Sequence, residues 1–148
     1  MSRAPMTSDP LDATDPELRL EVANRTADLT RALDRLDRFL KARQAAPTLA
    51  YAVRLVLEEL LTNTIKYGYD DSAEHWIRVH LRLGSPATMR VEDDGHPFDP
   101  RAHGQSFESG APANDRPPGG LGLHLVRSLT TSLQYRRIDD INRVDVVF

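Results

Sequence analysis

Glu59 and Asn63 stand four residues apart in the stretch LEELLTNTIKYGY. On an α-helix that spacing projects a carboxylate and a carboxamide from one face, one turn apart. A magnesium ion bound to nucleotide phosphates keeps several waters and needs only one or two oxygens from the protein. Asn63 can supply one such neutral oxygen. A carboxylate one turn away is placed to accept the proton of an attacking hydroxyl or water as general base, and Glu59 fits that role. The same spacing also describes an ordinary solvated helix face, so the pair gains its weight from two later segments.

The first is VEDDGHPFDP at 91 to 100. A carboxylate at the end of a strand can accept a hydrogen bond from the exocyclic amine of adenine, whereas guanine presents an oxygen there and two acceptors would face each other. Either Asp93 or Asp94 can take this role; Asp-Gly is also a common turn signal in its own right. The second is PGGLGLHLVRSL at 118 to 129. Its glycines lie where a loop becomes a helix, so backbone N–H groups can approach phosphate oxygens at the positive end of the helix dipole. The Walker A pattern is absent, and the glycines come too late, and after a loop, for a Rossmann fingerprint.

The elements that must position these groups read plainly. Residues 1 to 16 are rich in Pro, Ser, Thr and Asp and hold little that packs, the composition of a disordered tail. Leu18, Leu20 and Val22 alternate as a half-buried strand. Asn24 or Thr26 can then cap a helix whose Leu29, Leu33, Leu36, Phe39 and Leu40 recur at three and four. The second helix opens at Pro47 and runs to about Tyr67, where Gly68 can take a left-handed stop. On it Val53, Leu57, Leu60, Leu61 and Thr64 form the core stripe, and Glu59 and Asn63 face away from that stripe. A β-hairpin covers Trp76 to Leu83 and Met89 to Val91, with Gly84 to Pro86 as its turn and Trp76 as a packing residue. Residues 95 to 120 lose periodicity, as functional or disordered loops do. Gly120 opens a third helix. Strands near 133–138 and 143–148 close the chain, with Asp139, Asp140 and Asn142 turning between them.

The totals bound the rest. At 148 residues a single domain buries roughly 68 to 70% of its extended surface. The net charge of −3 comes from interspersed acids and bases, without the basic block that tracks nucleic acid. Cysteine is absent, which excludes thiolate chemistry and a disulfide framework. The five histidines show no paired metal spacing. No apolar run approaches the length of a membrane span or leader, so we expect a soluble cytoplasmic protein with neither a membrane nor direct nucleic acid as partner. Arg127, Arg136, Arg137 and Arg143 read as surface charges.

The order of these parts is helix with Glu and Asn, hairpin, Asp-Gly turn, long loop, glycine-rich helix start and terminal strands. In that order the sequence resembles the GHKL ATPase superfamily, and specifically its RsbW/SpoIIAB branch, the bacterial anti-sigma factor serine/threonine kinases. The resemblance implies the Bergerat fold: an α+β two-layer sandwich whose mixed, mostly antiparallel sheet is covered on one face by about three helices. It makes residues 17–148 one ATP-binding domain. ELLTN at 59 to 63 matches the N-box, implying Glu59 as catalytic base and Asn63 as magnesium ligand. DDGHPFDP matches the first glycine box, whose leading Asp, here Asp93, recognises adenine beside Gly95 and Pro97. GGLGLHLVRSL matches the second glycine box, in which Gly120, Leu121, Gly122 and Leu123 would hold the phosphates. The segment at about 97–119 is then the ATP lid; within it Arg116, chosen by its position and charge alone, is the cation offered to phosphate. Lys66 and Tyr67, just past the N-box, either touch nucleotide or cap the helix. Two departures stand out: Asp94 replaces the usual Asn, and Pro97 replaces the second glycine of the first box.

The resemblance implies ATP and Mg2+ as ligands, a homodimer, a STAS-domain anti-anti-sigma protein as phosphoacceptor and a sigma factor as competing ligand. The alternative is a non-catalytic ATP-binding module that sequesters its partner; retention of Glu59 speaks for transfer, because a pure binder needs no base there. A histidine kinase fragment or gyrase-type ATPase fits less well, since neither a phosphoacceptor helix pair nor a second catalytic domain is legible.

Overall fold

The computed structural model describes residues 14–103 and 120–148. The element order is β1 (Glu17–Ala23), α1 (Thr26–Ala42), α2 (Pro47–Tyr67), β2 (Trp76–Arg82), β3 (Thr88–Asp93), α3 (Pro100–His103), α4 (Gly120–Leu129), β4 (Ser132–Ile138) and β5 (Ile141–Val147). The strands form one sheet in the order β1-β2-β3-β5-β4. All four pairings are antiparallel. The expected α+β sandwich is therefore present, with a sheet that is wholly antiparallel among the described residues.

Period-two alternation explains the layering. Leu20 and Val22, Ile77, Val79 and Leu81, Met89 and Val91, and Val144 and Val146 all point to the buried face. There they meet Leu33, Leu36, Phe39 and Leu40 of α1, Val53, Val56, Leu57, Leu60 and Leu61 of α2, and Val126 of α4. The intervening strand residues face outward as a charged surface with cross-strand ion pairs, Arg90 to Asp145 at 2.7 Å and Arg143 to Glu92 at 2.8 Å. Such exposed pairs keep that face wet and add little stability.

Local details depart from the sequence reading at several points. Arg25, in extended conformation, is the N-cap of α1 and makes no side-chain cap bond. Asn24 is used elsewhere, accepting from His75 N–H at 2.9 Å and donating to the Ala73 carbonyl. Gly68 ends α2 at φ −77°, ψ −22°, a right-handed conformation; a Cβ there would meet the Thr64 carbonyl oxygen at 2.5 Å. Trp76 is 51% exposed, since as first residue of β2 its position falls on the open face of the sheet. The terminal hairpin turns on Asp139 and Asp140 alone, both at positive φ, as the mirror-type two-residue turn demands. Asn142 belongs to β5. Of the expected tail, residues 1–13 lie outside the described residues, while Asp15 and Pro16 accept hydrogen bonds from Arg43 and from Leu83 N–H through their carbonyls. No helix among the described residues is long and apolar enough to cross a membrane.

Candidate functional site

Glu59 and Asn63 lie on the side of α2 covered by α4, the helices being in contact. The stripe analysis set this side apart from the core, yet it is not solvated: Asn63 is only 5% exposed and lines a cavity with Val91 and Val144 of the sheet. The Nδ2 of Asn63 and the Oε2 of Glu59 are both buried without a hydrogen-bond partner. Burial, and secondarily the neighbouring Glu58 carboxylate, push the Glu59 carboxyl above its usual range, against a smaller opposing pull from the Lys66 ammonium. Native proteins seldom leave such groups unpaired. A buried carboxylate oxygen and a buried amide nitrogen without protein partners on one helix face are open to a ligand.

Gly122, in the first turn of α4, closes the other side. A Cβ built there would sit 1.8 Å from the Glu59 Cδ and 2.1 Å from each carboxylate oxygen. Only a glycine lets the start of α4, with its unpaired N–H groups, approach the carboxylate this closely.

Beyond Asn63 the site continues to the end of β3. Asp93 Oδ1 accepts from Gly95 N–H at 2.9 Å and from Asn142 Nδ2 at 2.9 Å. Thr64 Oγ1 donates at 3.5 Å to Oδ2. Burial is the main reason that the Asp93 carboxyl is raised from its ordinary range, partly offset by the Asn142 hydrogen bond. Leu60, Asn63, Thr64, Val91, Asp93, Phe98 and Asn142 line a narrow cavity of ≈ 20 Å³ beside it. Gly95 is required by the close approach of Gly68: a Cβ would meet the Gly68 carbonyl at 2.7 Å, and His96 N–H donates to that same carbonyl at 2.8 Å.

Asp94 turns the other way. It is exposed, and His75 bridges it at 3.3 Å and Asp71 at 2.8 Å while stacking on Tyr69. Of the two aspartates, Asp93 is the inward carboxylate.

The family model for a histidine kinase-like ATPase domain matches residues 22–148. The chain belongs to the histidine kinase-like ATPase domain family. It is also 28% identical over 130 residues to the serine/threonine-protein kinase BtrW of Bordetella bronchiseptica, covering 86% of this chain and 88% of that protein. Among solved structures it resembles the histidine kinase domain of the blue-light activated histidine kinase EL346 from Erythrobacter litoralis, at a TM-score of 0.52 and 20% identity, covering 82% of this chain. The chain spans 59% of the length of that structure, and at this identity the likeness concerns the fold.

Within this ATPase domain the sequence-predicted residues separate into three groups. Glu59, Asn63, Asp93, Gly95 and Gly122 converge on one region, and Leu123 is buried just behind Gly122. Lys66 is exposed on the last turn of α2, and Pro97 is exposed on the segment leaving Gly95. Gly120 and Leu121 open α4, whereas Arg116 and the rest of 104–119 lie outside the described residues.

Sequence reasoning missed four contributors. Asn142, 3% exposed, donates to Asp93 and to the carbonyls of Gly95 (3.2 Å) and His96 (2.7 Å). Tyr135 and Arg137 donate to its oxygen at 2.6 and 2.8 Å; Arg137 is therefore not the plain surface charge it resembles. The signal was the alternation Asn142, Val144, Val146, in which a polar residue occupies the apolar phase of the strand. Thr64, assigned to the core stripe, instead turns its hydroxyl to Asp93.

Proposed function

We propose that this ATPase domain is a protein serine/threonine kinase of the anti-sigma regulatory type, which passes phosphate from Mg–ATP to a STAS-domain anti-anti-sigma protein. The observation that carries the reading is the half-buried Glu59 carboxylate, whose Oε2 has no hydrogen-bond partner, beside the buried Asn63 amide, whose Nδ2 has none. A domain that only stored nucleotide would have no use for a carboxylate there. The name of the similar Bordetella protein, a serine/threonine-protein kinase, points the same way.

In this reading the adenine amine is accepted by Asp93, and the base enters the slot under Phe98. At ≈ 20 Å³ the slot has space for little more than a water molecule, so the Phe98 segment moves outward to admit a purine. The start of α4 holds the phosphates through its free N–H groups. The residues present fit a magnesium ion: the carboxamide of buried Asn63 carries a neutral oxygen of the kind magnesium takes from protein, and the ion, when bound, would screen the charge of the phosphate oxygens. Glu59 takes the proton of a serine or threonine hydroxyl as its oxygen bonds to the γ-phosphorus and the bond to the β,γ-bridging oxygen breaks, releasing ADP. The raised Glu59 carboxyl suits this work, because a base nearer neutrality holds the proton better. Phosphate on the partner adds about −1.5 to −2 charges, enough to break one interface and release another; a sigma factor is the ligand then engaged or freed.

Incubation with γ-labelled ATP, magnesium and a STAS-domain protein encoded nearby tests the reading. Label on a serine or threonine of that protein, lost in Glu59→Gln, is expected. Tight ADP and partner binding without label would reassign the domain to the sequestering module.

A further inference from the structure

The slot beside Asp93 has a rim made of two segments distant in sequence: the loop after α2, residues 68–75, and the turn after β3, residues 93–96. Gly68 and His96, one from each, line the slot, and His96 N–H donates to the Gly68 carbonyl at 2.8 Å. Further out, the same two segments are joined through the side chain of His75. Its Nε2 lies 2.8 Å from Asp71 Oδ1 and its Nδ1 3.3 Å from Asp94 Oδ2. A neutral imidazole has one donor and one acceptor nitrogen, so with a carboxylate at each nitrogen only the imidazolium satisfies both. The Asp71 hydrogen bond, and after it that of Asp94, hold His75 above the ordinary histidine value of 6.5 against the cost of burial. The ring is also fixed from behind. Its backbone N–H donates to Asn24 Oδ1 at 2.9 Å and its carbonyl accepts from Asn24 N–H at 3.1 Å, while the ring stacks on Tyr69 at 4.1 Å.

The turn carries two carboxylates in succession, and both bear on the base. Strand alternation sends Asp93 inward and Asp94 outward, but it does not remove the second charge: burial chiefly raises the Asp93 carboxyl, and the Asp94 charge adds to it. We propose that His75 is a positioning residue for base recognition: as an imidazolium held between Asp71 and Asp94, it supplies the counter-charge for the second carboxylate and ties the turn to the loop after α2, so that Asp93 meets the base from a fixed rim. The inference rests on the reading of Asp93 as the base-recognising group. Loss of the His75 proton leaves a lone pair facing a carboxylate. That contact repels, the turn is released on its outer side, and an uncompensated charge stays next to Asp93. Nucleotide affinity therefore falls on the alkaline side, as pH rises through the raised His75 value.

The other charged groups at the rim have partners of their own. His96 Nε2 pairs with Asp70 at 2.9 Å, and Glu74 lies 3.2 Å from Arg25 Nη2 at the start of α1. Burial, with the Asp93 and Asp94 charges after it, pushes the Tyr69 hydroxyl up, so the ring under His75 stays neutral. Among the described residues, Asp71 and Asp94 are the carboxylates that reach the His75 ring.

The test measures ADP affinity by calorimetry at pH values on both sides of the His75 transition, for wild type, His75→Gln, Asp94→Asn and the double variant, with thermal unfolding alongside. His75→Gln, which cannot carry the charge, is expected to weaken ADP about fivefold below the transition, the worth of one partly exposed ion pair, and to abolish the alkaline limb. Asp94→Asn should abolish the limb as well, because an amide can turn either its oxygen or its NH2 to the ring. Adding His75→Gln to Asp94→Asn should then change ADP affinity by less than about twofold, whatever it costs in stability. The ADP phosphates and the His96–Asp70 pair are the same in every variant, so the limb that Asp94→Asn removes belongs to His75. A His75→Gln loss as large in the Asp94→Asn background as in wild type, a wild-type profile without the limb, or a limb that persists in Asp94→Asn would overturn the proposal. If His75→Gln does not fold, the comparison of wild type with Asp94→Asn still decides. Wild-type protein that binds no ADP, or an ADP affinity unchanged in Asp93→Asn, would instead sink the reading of Asp93.

Discussion

Gly122→Ala tests the catalytic geometry most directly. The added methyl carbon would sit 1.8 Å from Glu59 Cδ, whereas ordinary van der Waals contact begins at 3.4 Å. The neighbour is the end of a flexible side chain, so the carboxylate gives way by well over an ångström while the backbone stays. Displacing a reacting group by about 1 Å costs about 10²-fold in rate, and loss of a general base costs about 10² to 10⁴-fold. We therefore expect phosphotransfer to fall by about 10² to 10³-fold. Folding should not suffer: position 122 is helical, and alanine is better there than glycine by about 1 kcal/mol. The assay is single-turnover transfer of label from γ-labelled ATP, with ADP affinity and melting temperature measured on the same preparation. A variant as stable as wild type that binds ADP within about threefold, a difference of less than 1 kcal/mol, and transfers at the wild-type rate would refute the assignment of Glu59 as base.

Three further outcomes follow from the same geometry. Glu59→Gln should abolish transfer and raise the melting temperature near neutral pH, because burial raises the Glu59 carboxyl above its ordinary 4.5. A raised carboxyl favours the fold fully below its unfolded value and loses that contribution as pH rises through the folded one. The stabilisation by Gln should hence shrink to nothing on acidification, and a gain that persists unchanged at acid pH would contradict it. Asp93→Asn should cut the preference for ATP over GTP by about tenfold, read by competition calorimetry; an unaltered ratio would move adenine recognition away from this residue. Gly95→Ala sets a methyl 2.7 Å from the Gly68 carbonyl; since both partners are backbone, we expect a loss of about 1 to 3 kcal/mol in urea unfolding, and a neutral result would show that the turn is free to move.

The helices, the strands and the order of the motifs were legible because each depends on neighbours in sequence. Period 3.6 over α1 and α2 and period two over β2 and β3 report which side of an element meets the core, and Pro47 marks a helix start by its own fixed φ. The convergence of Glu59, Asn63, Asp93 and Gly122 could be expected only through resemblance to known proteins. What composition and spacing could not contain is the way β5 enters the sheet between β3 and β4. That insertion sets Asn142 directly across from Asp93, buries an amide that reads as a turn residue, and draws Arg137 from the surface into the site. It also decides between Asp93 and Asp94, since the register turns one carboxylate inward to Asn142 and leaves the other for His75. The residue types capable of the chemistry are thus a property of the chain. Which of them lose water, and which partner each then meets, is set by contacts between residues some fifty positions apart, as in the Asn142–Asp93 pair with its separation of 49, and no local pattern encodes those.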